Sequence, residues 1–265
     1  MKKSLFIIVL LAITSGLCTS CKEKSSEKVT IYAINDNAQP QSMSVGIFTG
    51  EADSIAKTLG LGDNIPSSMN AFLIETEDKQ ILFDAGTGRN DSQLLPELNK
   101  LNITPEDIDL IFITHMHGDH IGGLIADKKA VFSNAKVYIN AKELEAWMSM
   151  PEERNAQVRE MTEAYGNQIV TFVETDQLPC GIQPIAAYGH TEGHTLYRLD
   201  YILIAGDIMH GVALQLENPE ICARFDGNLE QTIESRKATL ELVKKENLRM
   251  YGMHFPAPHY IEFAQ

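Results

Sequence analysis

The sequence predicts an α/β protein in which sheets are stacked in layers and covered by helices. Three observations carry that expectation. Apolar, β-rich runs come in groups, helix-period segments separate the groups, and the order repeats in two roughly similar halves. A regular alternation of single strands and helices would have indicated a different architecture.

The first residues stand apart from this pattern. "MKKSLFIIVLLAITSGLCTSC" has two lysines, an apolar stretch from Leu5 to Ile13, and then small residues, the layout of a secretory signal over residues 1–20. That stretch is shorter than the roughly 20 residues a membrane span needs. Cleavage would leave Cys21 first, followed by a polar tether over residues 21–28. "LCTSCK" resembles a bacterial lipoprotein box, although Cys18 stands where such boxes usually carry leucine. The expectation is an exported protein of a bacterial cell envelope, touching the membrane only through a lipid on Cys21.

From residue 29 to 265 one domain is expected. "KVTIYAIND" reads as a first strand, and residues 38–64, with four glycines, as a long loop or N-terminal flap. "MNAFLIETEDKQILFDAGTG" reads as a hairpin around a polar turn. Leucines at 94, 95, 98 and 101 mark a helical face, and "LIFIT" is the continuous apolar run of a buried strand. "AKVYIN" is a strand, and "AKELEAWMSM" and "EERNAQVREMTEAYG" are helices. Four strand-like runs follow, "QIVTFV", "GIQPIAAYG", "TLYRLD" and "YILIAGD", then a helix over Leu229–Glu246 and a closing strand at "RMYGM".

The net charge of −14, from 22 basic and 36 acidic residues, makes a poor partner for a phosphate backbone. No nucleic-acid partner is expected. Outside the leader the chain has Cys180 and Cys222, too few for a disulfide framework.

The chemistry concentrates at "THMHGDHIGG". His115 and His117, two apart in extended chain, project to one side and can reach one ion. Asp119 and His120 follow Gly118, where the chain can turn, and can reach a second. A metal needs about four ligands, so the remainder must come from later strand ends. "AYGHTEGHT" offers His190 and His194, "YILIAGD" ends in Asp207, and "MYGMHFPAPH" offers His254 and His259. His210 completes the eight histidines, all of them in four strand-end loops.

"THMHGDHIGG", "GHTEGHT", "AGD" and "GMHFPAPH", in that order, resemble the metallo-β-lactamase superfamily over essentially all of residues 28–265. The resemblance implies an αβ/βα four-layer sandwich with a dinuclear site at one edge. It implies His115, His117 and His194 as ligands of one metal, Asp119, His120 and His254 of the other, and Asp207 as the bridge. Asp84 and His190 would lie behind these ligands. Zn²⁺ is the expected ion, with Mn²⁺, Co²⁺ and Fe²⁺ able to use the same donors. Two such ions lower the pKa of a shared water from 15.7 to roughly 7, and Asp119 could move the proton.

The implied activity is hydrolysis of a small-molecule ester or lactone, with a phosphotriester as a further substrate class. The run from "GDIMHGVALQLENPEICARFDGN" to "HFPAPH" looks like the branch of methyl parathion hydrolase and related esterases or lactonases. There a histidine three residues after the bridge, here His210, faces the substrate. A bridging Asp207 argues against a β-lactam hydrolase. The alternative class is a non-hydrolytic metal protein of the same fold, an iron oxygenase or a binding lipoprotein. Met116, Met209, Phe255, Phe48 and Phe72 are expected, with His210, to line the substrate pocket.

Overall fold

The computed structural model describes residues 29–263. Residues 1–28, with the expected leader, tether and Cys21, lie outside the described residues, as do residues 264–265. No helix among the described residues is long and apolar enough to cross a membrane.

Alternation along single strands decides the layers. In the strand Asn70–Glu75, Ala71 and Leu73 enter one buried cluster while Phe72 and Ile74 enter another. Successive side chains leave a strand on opposite faces, so this strand is covered on both. Gln80–Phe83 repeats the pattern, with Leu82 on the first side and Ile81 and Phe83 on the second.

The first sheet has six strands, in the spatial order Thr30–Asn35, Asn70–Glu75, Gln80–Phe83, Leu110–Phe112, Lys136–Asn140 and Ile169–Phe172. Its first two pairings are antiparallel and its last three parallel. The second sheet is ordered Gln183–Ala186, Thr195–Leu199, Ile202–Ile204, Arg249–Tyr251 and Tyr260–Ile261. Only Ile202–Ile204 and Arg249–Tyr251 pair in parallel there.

An aromatic layer joins the sheets. Phe72, Phe83, Phe112, Tyr138, Tyr197 and Tyr251 share one buried cluster. Within it Phe112 stacks on Phe83 and Tyr138, with ring centroids 5.5 and 4.8 Å apart. Each large apolar side chain so buried contributes on the order of 1.5–3 kcal/mol. On the outer face of the first sheet, helices Leu94–Lys100 and Glu152–Tyr165 bury Leu94, Leu98, Val158, Met161 and Tyr165. On the outer face of the second, helix Leu229–Glu246 packs Leu240 and Val243 with Leu203, Ala205 and Met250. Helix, sheet, sheet and helix make the αβ/βα four-layer sandwich.

Helix Leu229–Glu246 has the bounds expected from sequence. Asn228 caps it by accepting from the Gln231 N–H, and Glu230 and Lys244–Lys245 suit the dipole at its two ends. Residues 38–64 hold more structure than a loop. Gln41–Ser44 pairs antiparallel with Asn64–Ser67, and helix Ala52–Thr58 lies between them. Val45, Phe48, Ala56 and Ile65 anchor this flap in a small core with Leu214, Ile221 and Ala223. Four-residue strands and a seven-residue helix are too short for periodicity to reveal.

The strands aim the functional loops at one edge. Asp84 follows Phe83, the "HMHGDH" turn follows Phe112, His190 follows Ala186, Asp207 follows Ile204, and His254 follows Tyr251. Two hydrogen bonds stitch the sheets there: the Thr195 N–H donates to the Thr114 carbonyl at 2.9 Å, and the Tyr197 hydroxyl to the Ile113 carbonyl at 2.7 Å.

Candidate metal centre

Asp84 organises the first loop. Its backbone takes the left-handed conformation, φ 56°. Its carboxylate accepts from the Thr114 N–H and hydroxyl, both at 2.7 Å, and meets His120 Nδ1 at 2.6 Å. That contact turns His120 Nε2 inward, the usual use of a carboxylate behind a metal-ligating histidine. The helix begins at Gly118 and runs to Ile121, followed by a tight turn at Gly122–Leu124. A Cβ on Gly122 would lie 2.0 Å from the Thr87 carbonyl oxygen, so this loop approaches the Asp84 loop as only glycine allows.

A buried glutamate joins the two halves. Glu143 accepts from the Met116 N–H at 2.9 Å and Trp147 Nε1 at 2.7 Å with one oxygen. With the other it accepts from the Thr191 hydroxyl at 2.7 Å and the Gly193 N–H at 2.8 Å. The loop carrying His115 and His117 and the loop carrying His190 are thus pinned to one carboxylate.

The structure places His190, and not His194, beside His115 and His117. His190 Nε2 lies 3.2 Å from His115 Nε2 and 3.0 Å from His117 Nδ1, while its Nδ1 meets Asp226 at 2.8 Å. His194, expected beside His115 and His117, has both ring nitrogens engaged elsewhere. Nδ1 meets the Ala187 carbonyl at 3.0 Å, and Nε2 accepts the Asp207 N–H at 3.0 Å. It immediately precedes the strand Thr195–Leu199 and is held to the sheet. Gly206 closes over it, since a Cβ there would lie 2.5 Å from His194 Nε2.

Four overlapping donor groups result among the described residues. Two run through His210, one with His190 and Asp226 and one with Asp207 and His254; the other two match the expected pair of ions. His115, His117, His190 and Asp207 form one, and Asp119, His120 and His254 the other. Asp207 stands between them. Its Oδ2 is 3.7 Å from His115 Nε2, 3.5 Å from His190 Nε2 and 3.1 Å from His254 Nε2, and its Oδ1 is 3.3 Å from His120 Nε2. His120 Nε2 and His254 Nε2 approach Asp119 Oδ2 at 3.8 and 3.7 Å. His254 is turned by the Ser68 carbonyl at 3.1 Å from Nδ1. His210 Nε2 lies 3.1 Å from Asp207 Oδ2, and His259 stays outside both groups, its Nδ1 near the Phe255 carbonyl.

These residues fit divalent cations. Two nitrogens held about 2.0–2.1 Å from one tetrahedral ion stand about 3.3 Å apart, near the spacing of His115, His117 and His190. Three imidazole nitrogens cannot satisfy one another by hydrogen bonding alone. His120 Nε2 and Asp207 Oδ1 are buried without a hydrogen-bond partner, as is His210 Nδ1, and such atoms are costly unless a cation or donor meets them.

The electrostatics agree. Burial, then neighbouring histidines, holds His115 well below the usual imidazole range, and burial first, then His190, lowers His117 to about 3. Both are neutral lone-pair donors, as ligation requires. Burial opposes charge on Asp207, yet His120, His254, His210 and His115 hold its carboxyl well below the usual range. Burial likewise disfavours protonated His120, but Asp207, Asp84 and Asp119 push it well above the ordinary value.

A cavity of about 400 Å³ opens onto His117, Asp119, His190, Asp207, His210 and His254. Its wall also takes Met43, Ser67, Ser68 and Met69 from the flap side and Phe225, whose ring centroid lies 5.0 Å from that of His210. Of the expected pocket residues only His210 lines it. Met116, Met209, Phe255, Phe48 and Phe72 are instead buried in the core clusters. Sequence reasoning missed Asp226, Glu143 and the wall of Met43, Met69 and Phe225, none of which carries a local motif.

Residues 65–243 match the model of the Metallo-beta-lactamase superfamily, and the chain belongs to that family. An N-acyl homoserine lactonase of Bacillus cereus is 25% identical over 232 residues, covering 77% of this chain and 88% of that protein. The exodeoxyribonuclease WalJ of Streptococcus pneumoniae is 49% identical, but over 59 residues, 22% of this chain and 21% of its own. This chain spans about a fifth of the length of the first curated relatives it matches. Among solved structures, the hydrolase AbOPH superimposes with a TM-score of 0.78 at 26% identity, covering 92% of both chains. AidC, a dizinc quorum-quenching lactonase in complex with a product, gives 0.79 at 21% identity, covering 90% of this chain and 95% of that one, a likeness of fold.

Proposed function

We propose that this chain is a dinuclear metal-dependent hydrolase of neutral small-molecule esters or lactones. The observation that carries the reading is Asp207, whose carboxylate lies within 3.7 Å of donors from both groups. His115, His117 and His190 would hold one ion, Asp119, His120 and His254 the other, with Asp207 shared. When bound, two such cations, zinc being the expected pair, acidify a water and polarise a scissile carbonyl.

The protein's own residues supply the rest. Asp119 lines the cavity with 33% of its side chain exposed, where it can hold a proton and return it to a leaving oxygen. His210 touches both Asp207 and the cavity and is placed to orient a substrate oxygen. Its position three residues after Asp207 supports a placement near the methyl parathion hydrolase and lactonase branch. Among the described residues no Lys or Arg lines the cavity, so an anionic substrate would find no side-chain cation there. Met43, Met69 and Phe225 suit an acyl or aryl group, and Ser67 and Ser68 suit its polar atoms. The lactonase relative supports the same substrate class.

The test is a panel of acyl-homoserine lactones, aryl esters, paraoxon-type triesters and nitrocefin on the zinc-loaded chain. Lactone or ester turnover above the others is expected. A single iron per chain with no hydrolysis of any member would reject the proposal.

A further inference from the structure

Behind the cavity lies a buried cation that no step of hydrolysis uses. Arg236, on helix Leu229–Glu246, has 0% of its surface exposed. Its Nε donates to the Ile208 carbonyl at 2.7 Å, and its Nη1 to the carbonyls of Pro219 at 2.8 Å and Ile221 at 2.7 Å. Its Nη2 has no hydrogen-bond partner and lies 3.6 Å from Asp226 Oδ2. Burying a guanidinium is unfavourable unless dipoles and a counter-charge surround it. Packing alone at this position would be met by an apolar chain without three carbonyls and a carboxylate.

The two ends of this arrangement reach the metal centre separately. Asp226 accepts the Ala223 N–H at 2.8 Å with Oδ2, and its Oδ1 meets His190 Nδ1 at 2.8 Å. A proton held on Nδ1 leaves the Nε2 lone pair free to face His115 and His117. Ile208 directly follows Asp207, so the second arm fixes the turn from which Asp207 projects. Gln215, also buried, braces the same segment: it donates to the Ile221 carbonyl and accepts from the N–H groups of His210 and Gly211.

We propose that Arg236 is a positioning residue of the metal centre, holding His190 through Asp226 and Asp207 through the Ile208 carbonyl. The inference rests on the dinuclear reading and adds to it a device that keeps His190 and the shared Asp207 in register. Arg236 and Asp226 act as one unit, since the guanidinium is the counter-charge that keeps the Asp226 carboxylate aimed between Ala223 and His190.

The test measures stepwise zinc affinity of the full chain by chelator competition, zinc per chain after dialysis, and the absorption spectrum of the cobalt-substituted protein. The variants are Arg236→Lys, Asp226→Asn and the pair together. Asp226→Asn is expected to weaken one of two ions by about 10–100-fold, the range for outer partners of metal ligands, whereas Arg236→Lys, which also loosens the shared Asp207, weakens both. In Asp226→Asn the other ion is expected to keep its affinity, and only part of the cobalt spectrum to shift. The double variant should be no weaker than the worse single, because residues acting as a unit are not additive. Should Arg236→Lys fail to fold, Asp226→Asn alone decides, since it leaves the three carbonyl bonds in place. Wild-type affinity for both ions in folded Asp226→Asn, or equal weakening of both, overturns the proposal. A wild-type chain that binds fewer than two ions overturns the dinuclear reading itself, and the positioning role with it.

Discussion

The two halves of the molecule furnish the proposed metal centre in different ways. In the first half, one turn after the strand Leu110–Phe112 presents His115, His117, Asp119 and His120, and the neighbouring loop supplies Asp84 to steady them. In the second half, His190, Asp207 and His254 arrive singly from three strand ends. Each is turned by something distant in sequence: His190 by Asp226, His254 by the Ser68 carbonyl, and Asp207 by its N–H bond to His194. A compact turn announces its donors by spacing. Dispersed donors are chosen by tertiary partners, which spacing does not record.

The largest expected effect comes from the residue that joins the halves. Asp207→Ala should reduce hydrolysis by more than about 10²-fold, beyond what loss of an outer partner costs, and leave one zinc per chain instead of two by elemental analysis. Full activity in this variant would dissolve the shared site. Next comes the pair His190 and His194. His190→Ala should lose an ion and at least about 10²-fold in turnover, again above the outer-partner range. His194→Ala should keep two ions per chain with Asp207 held less firmly, and lose about 1–3 kcal/mol of stability in denaturant, because the Asp207 N–H and the Ala187 carbonyl lose a buried partner. Reversed results would restore His194 as the ligand.

Within the compact half, Asp84→Asn should weaken zinc binding about 10–100-fold, read by chelator competition, with the fold intact by circular dichroism. Unchanged affinity would mean that the local turn holds His120 unaided. The smallest effect is expected at the cavity wall. Phe225→Ala should raise KM for an acyl lactone by about tenfold with kcat held, as loss of uniform apolar binding requires. A matching fall in kcat would place Phe225 nearer the chemistry.

Legibility followed the same division. Leu229–Glu246, with caps and charges at both ends, could be read in the sequence, as could the hairpin of Asn70–Glu75 and Gln80–Phe83. The short elements of residues 38–64 could not, since each spans too few residues to set a period. "HMHGDH" showed its donors, whereas "GHTEGHT" offered two histidines and no local reason to choose. The pocket was read wrongly for a geometric reason. Met116 lies between His115 and His117, and neighbours in extended chain face opposite ways, so a residue beside a donor is directed into the core. Met116, Met209 and Phe255 all sit beside donor or cavity residues and all are buried.

The flap formed by Gln41–Ser44 and Asn64–Ser67 lines part of the cavity, yet contributes none of the metal donors. It is secured by a core of its own, with Val45, Phe48 and Ile65 against Leu214 and Ile221. Selectivity therefore resides in side chains of the flap, while its backbone at Ser68 serves His254. An exchange of the side chains at Met43 and Met69 alone can present a new surface to substrate while the Ser68 carbonyl keeps its hold on His254 and Ile65 keeps the flap anchored, so this molecule could change diet while keeping its teeth.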